Sequence, residues 1–74
     1  MKYVVADKSL ADQYGFNVFS HRTNKNNIIL NEKEVMFASS LKGDSLAEKI
    51  TQINGTIYER AEIKQLMNEG GWND

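Results

Sequence analysis

The single histidine, His21, is the only imidazole from which this chain could build a general base. Ser20 precedes it directly, but adjacent residues on a strand point to opposite faces, so the two side chains do not form a nucleophile–base pair. Cysteine is absent, which removes thiol nucleophiles as well. We therefore predict no catalytic residue and a chain that is not an enzyme.

The sequence also lacks the groups that would bind a metal or a cofactor. A zinc site needs three or four His, Cys or carboxylate ligands, and no spacing around His21 supplies them. The acidic residues do not follow the calcium-loop pattern. Gly70-Gly71 follows a predicted helix, whereas glycines that cradle a phosphate precede one. The sequence predicts no metal and no cofactor.

A polar, asparagine-rich stretch at 21–27, HRTNKNN, is the first candidate binding site. Its cations are His21, Arg22 and Lys25, and no acidic residue lies between Asp12 and Glu32. Such a tip can contact phosphates or enter a groove, as β-ribbons do. So few cations give weak affinity, however, and the net charge of −1 predicts no general attraction to nucleic acid or anionic membranes. The alternative is a solvated loop.

Aromatic residues supply the second candidate site. Trp72 follows Gly70-Gly71. A tryptophan there either folds back and packs against the core or stays exposed as a contact for a partner. Tyr58 is the other predicted partner contact. Phe37 and Met36 add exposed apolar surface if segment 31–41 is loosely held. We predict a protein partner, contacted through Trp72 and Tyr58, with weak nucleic-acid binding or regulation through 21–27 as the alternative.

The size and composition of the chain limit its organisation. Its 74 residues make a single domain, 1–74, with a short flexible tail at 71–74. The core is small enough that either a monomer or a homodimer fits. No apolar run is long enough for a signal peptide or a membrane span, so the sequence predicts a cytoplasmic protein that does not associate with membranes.

Segment 44–70 has the clearest local signals. Ser45 and Glu48 fit a capping box, which predicts a helix start there. Asn54-Gly55 ends that helix, residues 56–58 form a brief strand, and a second helix runs from Glu59 to Gly70. The predicted core face of the first helix consists of Leu46, Ala47, Ile50 and Ile53, with Glu48, Lys49 and Gln52 outside it.

The first half of the chain is predicted to form most of the sheet. Residues 2–6 predict a strand, and Asp7 caps a short helix over 8–14 that ends at Gly15. Residues 16–30 predict a β-hairpin with a long basic tip. Segment 31–41 is a helix capped by Asn31 or else a third strand, and we favour the helix.

These elements predict an α+β fold. The sheet is small and mainly antiparallel, with three to four short strands, and two to three helices cover one of its faces.

The length, the lysine and asparagine usage, and the phrases Leu30-Asn31-Glu32-Lys33-Glu34-Val35 and Gly70-Gly71-Trp72 resemble small uncharacterised proteins encoded by phages and prophages of low-GC Gram-positive bacteria. No defined family motif is matched, so no functional residue is carried over. The resemblance implies an accessory or host-interaction role, with gene regulation as the competing possibility.

Overall fold

The structure is a computed structural model, and it describes residues 2–18 and 22–72. Within these ranges the chain forms three β-strands, four α-helices and one 3₁₀ turn. The strands are β1 (Lys2–Asp7), β2 (Asn27–Asn31) and β3 (Thr56–Glu59). The helices are α1 (Lys8–Gln13), α2 (Glu32–Met36), α3 (Leu46–Gln52) and α4 (Arg60–Asn68). The predicted α+β class is confirmed.

β1 is the central strand of an antiparallel sheet with the order β2-β1-β3. Val4 lies opposite Leu30 on one side and opposite Ile57 on the other. The strand ends at Asp7, whose carboxylate accepts hydrogen bonds from the amides of Ser9 at 2.9 Å and Leu10 at 3.3 Å. Asp7 is therefore the predicted N-cap, and it turns β1 directly into α1.

The main core lies on one face of the sheet, which we call the first face. Because side chains alternate along a strand, Val4 and Ala6 share this face with their partners Leu30 and Ile28. Helices α1 and α2 contact β1 and β2, and α3 contacts α2. The buried cluster comprises Val4, Ala6, Ala11, Phe16, Ile28, Leu30, Val35, Ala38, Leu41, Ile50 and Ile53.

The opposite, second face of the sheet is also apolar. Tyr3 pairs with Tyr58 and Val5 pairs with Ile29, and Ile29 is fully buried. Helix α4 contacts β3 and β1, and its buried Ile63 does not belong to the main cluster. The apolar run at 28–30 is explained by this arrangement, because β2 buries side chains on both faces.

Segment 16–18 differs from the prediction. Phe16–Val18 is a 3₁₀ turn rather than the first arm of a hairpin, and Phe16 is fully buried. Gly15, at φ +83°, ends α1, and Phe16 follows at the position where an apolar contact closes a helix end. That local packing replaces the predicted strand. Phe19, Ser20 and His21 lie outside the described residues.

Segment 31–41 contains the helix that we favoured. The Asn31 side chain accepts from the Glu34 amide at 2.8 Å, and the Glu34 carboxylate accepts from the Asn31 amide at 3.0 Å. These two bonds form a complete capping box. The helix is short, because it ends with Met36 and Phe37 is its C-cap.

Helix α3 begins as predicted, and its predicted core residues Ile50 and Ile53 are buried with Leu46 packed beside them, but two other positions differ from the prediction. The Ser45 hydroxyl accepts from the Glu48 amide at 3.2 Å. Ala47 is exposed, whereas Lys49 is buried and its ammonium donates to the Ala38 carbonyl at 3.4 Å. The prediction that Ala47 is a core residue and Lys49 an exposed one is wrong, because the Ala38 carbonyl offers the lysine a partner in the interior.

Candidate interaction site

The most exposed large apolar side chain of the described residues is Phe37, which is 84% exposed. Its neighbour Met36 is 36% exposed. On either side of this pair, Val35 and Ala38 are buried in the main core. The backbone is therefore held by Val35 and Ala38, and the exposure of Phe37 is a fixed feature of the fold rather than the result of a loosely held segment.

A shallow, open depression of about 290 Å³ lies beside this ring. Its lining consists of Asn31, Lys33, Glu34, Phe37 and Ala38. Small-molecule sites are usually larger and more enclosed. The depression suits a single side chain of a macromolecular partner better than a whole ligand.

The exposed charged group at this site is a cation, and the carboxylate beside it is turned inward. Lys33 is exposed, and no ion pair holds it within the part of the chain that the structure describes. Glu34 is held inward, since its carboxylate accepts from the Asn31 amide and lies 3.8 Å from the Arg22 guanidinium. A partner group that contacts Phe37 therefore meets a cation beside an apolar ring.

Arg22, one of the predicted nucleic-acid contacts, is directed back onto the protein. Its guanidinium carbon lies 5.5 Å from the centroid of the Tyr3 ring, and the same group forms the ion pair with Glu34. The Arg22 side chain is 29% exposed. A phosphate would have to compete with both the aromatic face and the carboxylate.

Lys25 lies at the apex of a tight turn. The Asn24 side chain accepts from the amides of Asn26 at 2.9 Å and Asn27 at 2.6 Å, and the Asn24 amide donates to the Asn27 carbonyl at 2.9 Å. The asparagines therefore close the turn themselves. Of the three predicted cations, Lys25 is exposed, Arg22 is engaged, and His21 lies outside the described residues.

The two predicted partner contacts, Tyr58 and Trp72, are both half-buried. Tyr58 lies on the second face of the sheet opposite Tyr3. Phe37, by contrast, follows α2, which packs with the main core on the first face. Phe37 is the stronger anchor, because exposed aromatic rings dominate the energetics of interfaces.

Ile57 and Val18 are 45% and 73% exposed, although the alternating pattern after Phe16 predicts that Val18 lies in the core. No local pattern in the sequence indicates that these two side chains are exposed. Ile57 lies in a β-branched and aromatic run that is equally typical of a buried strand.

Over residues 2–18 and 22–72, no group of three or more His, Asp or Glu side chains is arranged to hold a metal ion. In the same ranges, no helix is both long and apolar enough to cross a bilayer.

Comparisons with known proteins give no match: no protein-family model matches the chain, and neither does any curated protein or any solved structure.

Proposed function

We propose that this protein is a non-enzymatic, cytoplasmic binding module that docks a protein partner on the surface formed by Lys33, Met36 and Phe37, which we call the Phe37 surface. The observation that supports this proposal is the 84% exposure of Phe37 in a segment whose residues Val35 and Ala38 are buried. An accessory or host-interaction role of the kind found in phage and prophage proteins is consistent with such a module.

The energetics favour a transient complex. Burying a phenylalanine side chain contributes about 1.5–3 kcal/mol. Because α2 is capped and anchored by Val35, Phe37 is presented with little backbone freedom left to lose on binding. One aromatic anchor with a small rim supports a small interface, and small interfaces are typical of weak, transient complexes.

The chemistry of the partner follows from the surface. Phe37 and the depression beside it favour an apolar side chain, and the exposed ammonium of Lys33 favours a carboxylate next to that side chain. We expect a partner segment in which an apolar residue is flanked by an acidic one.

Phe37→Ala is expected to weaken binding of such a segment at least tenfold, since a tenfold change corresponds to about 1.4 kcal/mol and the ring contributes more. Peptides selected from a displayed random library against the wild-type protein are the probe, and their affinities are measured by fluorescence polarisation. Lys33→Glu should weaken binding of the acidic peptides in particular.

The matched control is Val18→Ala, which removes another highly exposed apolar side chain at a position outside the Phe37 surface. It should leave peptide affinity unchanged. Selected peptides that bind Phe37→Ala as tightly as the wild type would show that the function uses another surface.

Among the predicted contacts that the structure describes, Lys25 is the one whose charge is exposed for the nucleic-acid alternative. We expect no shift of the backbone resonances of residues 22–27 when a short DNA duplex is added at low salt to the ¹⁵N-labelled protein. Shifts that appear on addition of DNA and reverse with salt would put phosphate binding first, because displacement by salt is the signature of phosphate contacts. In that case, the double variant Arg22→Ala, Lys25→Ala should show no DNA-induced shifts.

A further inference from the structure

The two edges of the sheet differ in how they are covered. Beyond β2, the chain pairs once more, because Thr23 forms a bridge with Ile28 and the Ile29 amide donates to the Arg22 carbonyl at 2.8 Å. Beyond β3, no residue of the described ranges adds a further strand. β3 is therefore the open edge of this sheet.

Two hydrogen bonds show which backbone groups face that edge. The Ile29 amide points away from β1 to Arg22, and the Asp7 amide points towards the β3 side, where it donates to the Ile53 carbonyl at 3.1 Å. Along an antiparallel strand, hydrogen-bonding groups alternate between the two sides. Residues two apart therefore direct their backbone groups to the same side, so the amides and carbonyls of Val5 and Tyr3 face β3 as the Asp7 amide does.

The partners of Val5 and Tyr3 on β3 are Thr56 and Tyr58, so these two residues bond to β1. Ile57, which lies between them, points its N–H and its C=O outward. The Glu59 amide is already occupied, since it donates to the Glu62 carboxylate at 2.9 Å. Ile57 is thus the one residue of β3 whose donor and acceptor are both open at this edge.

The side chain of Ile57 adds an apolar contact at the same place. It lies on the first face opposite Val4 and is 45% exposed. Natural edge strands are commonly protected by lysine, proline or a bulge, and Thr56–Glu59 contains neither lysine nor proline. Its protection is limited to its shortness and to the charge of Glu59 at its last position.

We propose that β3 pairs with β3 of a second copy of this chain, antiparallel and around a two-fold axis that passes between the two Ile57 residues. The axis is perpendicular to the sheet, so the first faces of both copies lie on the same side. Each Ile57 donates its N–H to the C=O of the other Ile57. The product is one continuous six-stranded sheet, and the interface is isologous.

The register explains why a second copy fits this edge. With Ile57 opposite Ile57, Thr56 faces Tyr58 on the second face, and Glu59 faces Gly55 at each end of the pair. No two like charges are opposed, which an antiparallel pair requires. The two Ile57 side chains then cover one another on the first face, where each is exposed in the single chain.

This pairing is independent of the proposed function, because Phe37 is the C-cap of α2 and takes no part in the β3 edge. The contact is also short, since β3 spans only Thr56–Glu59. The dimer is therefore a weak one that forms at high protein concentration.

Hydrogen exchange on the wild-type chain tests the proposal directly. As the protein concentration rises from micromolar to millimolar, the Ile57 amide should change from unprotected to protected. The Thr56 and Tyr58 amides should be protected throughout, because they bond to β1 within one chain. An Ile57 amide that exchanges at the unprotected rate over the whole concentration range would overturn the proposal.

Sedimentation equilibrium of two lysine variants is the second measurement. Ile57→Lys should abolish the association seen for the wild type, because it places two ammonium groups at the two-fold axis. Phe37→Lys introduces the same charge at a more exposed position and should leave association intact. Association that is lost with Phe37→Lys but kept with Ile57→Lys would assign the dimer to another surface.

A fold control separates loss of pairing from loss of structure. The Tyr58 amide of Ile57→Lys should stay protected, which shows that β3 still pairs with β1. If that variant does not fold, the wild-type protein decides the matter through an intermolecular nuclear Overhauser contact between the Hα atoms of Thr56 and Tyr58 in a sample of mixed isotope labelling. Its absence at millimolar concentration contradicts the proposed register.

Discussion

Phe16→Ala is expected to leave the protein largely unfolded at room temperature. Phe16 is the largest of the fully buried side chains in the described residues, and it belongs to the main core cluster. Truncating a buried phenylalanine to alanine typically costs about 3–5 kcal/mol, and a single core in a chain this small rarely supplies more than about 3–5 kcal/mol in total. Circular dichroism during urea titration measures the loss.

Phe37→Ala is the matched control, because it makes the same chemical change at a ring that is 84% exposed. Its free energy of unfolding should stay within about 0.5 kcal/mol of the wild type, as is usual for surface substitutions. If Phe16→Ala unfolds at the same urea concentration as Phe37→Ala, the 3₁₀ turn does not bury Phe16 in the core.

Gly55→Ala is expected to lower the free energy of unfolding by about 1–3 kcal/mol, the usual cost of overpacking a core. A Cβ atom at this position would lie 2.7 Å from Val4 Cγ1 and 3.0 Å from Ile50 Cγ2. Val4 is fully buried in the central strand, so it has little room to move. Urea unfolding compares the variant with the wild type.

A double-mutant cycle identifies the cause of that loss. Val4→Ala removes the Cγ1 atom that the new methyl group would strike. Gly55→Ala should therefore cost less in the Val4→Ala background than in the wild type, with a coupling of at least about 0.5 kcal/mol. Strictly additive losses would mean that the methyl group is accommodated elsewhere.

The helix starts could be predicted because their information is local. Asp7, Asn31 and Ser45 each accept a hydrogen bond from an amide two or three residues ahead, and the sequence displays both the acceptor and the spacing. The α+β class followed from these starts together with the short β-branched runs. None of this depends on contacts between distant parts of the chain.

Lys49 was misassigned because its environment depends on a distant partner, whereas Phe16 was misassigned because one local signal overrode another. Ala47 and Lys49 both lie at the border of the buried helix face, and the Ala38 carbonyl gives the lysine a partner that turns it inward. Phe16 was read as the first residue of a strand, but closing the end of α1 took precedence over the alternating pattern.

The candidate site was only partly visible in the sequence. Residues 35–38 form an apolar run, Val-Met-Phe-Ala, in which the sequence does not show which side chains are exposed. Because α2 ends at Met36, Val35 and Ala38 turn inward and Phe37 is left outside. The pairing of Arg22 with Tyr3 and Glu34 joins three separate elements, which no local pattern encodes.

The central position of β1 has a consequence for synthesis of the chain. β1 precedes both of its neighbours in the sequence, and Val4 pairs with Ile57 across most of the length of the chain. This high contact order favours slow folding. While the nascent chain grows on the ribosome, the strand that ends up innermost in the sheet keeps one side unpaired until residues 56–59 have emerged. An unpaired edge of this kind is prone to aggregation, so the newly made chain is most vulnerable just before its last strand appears.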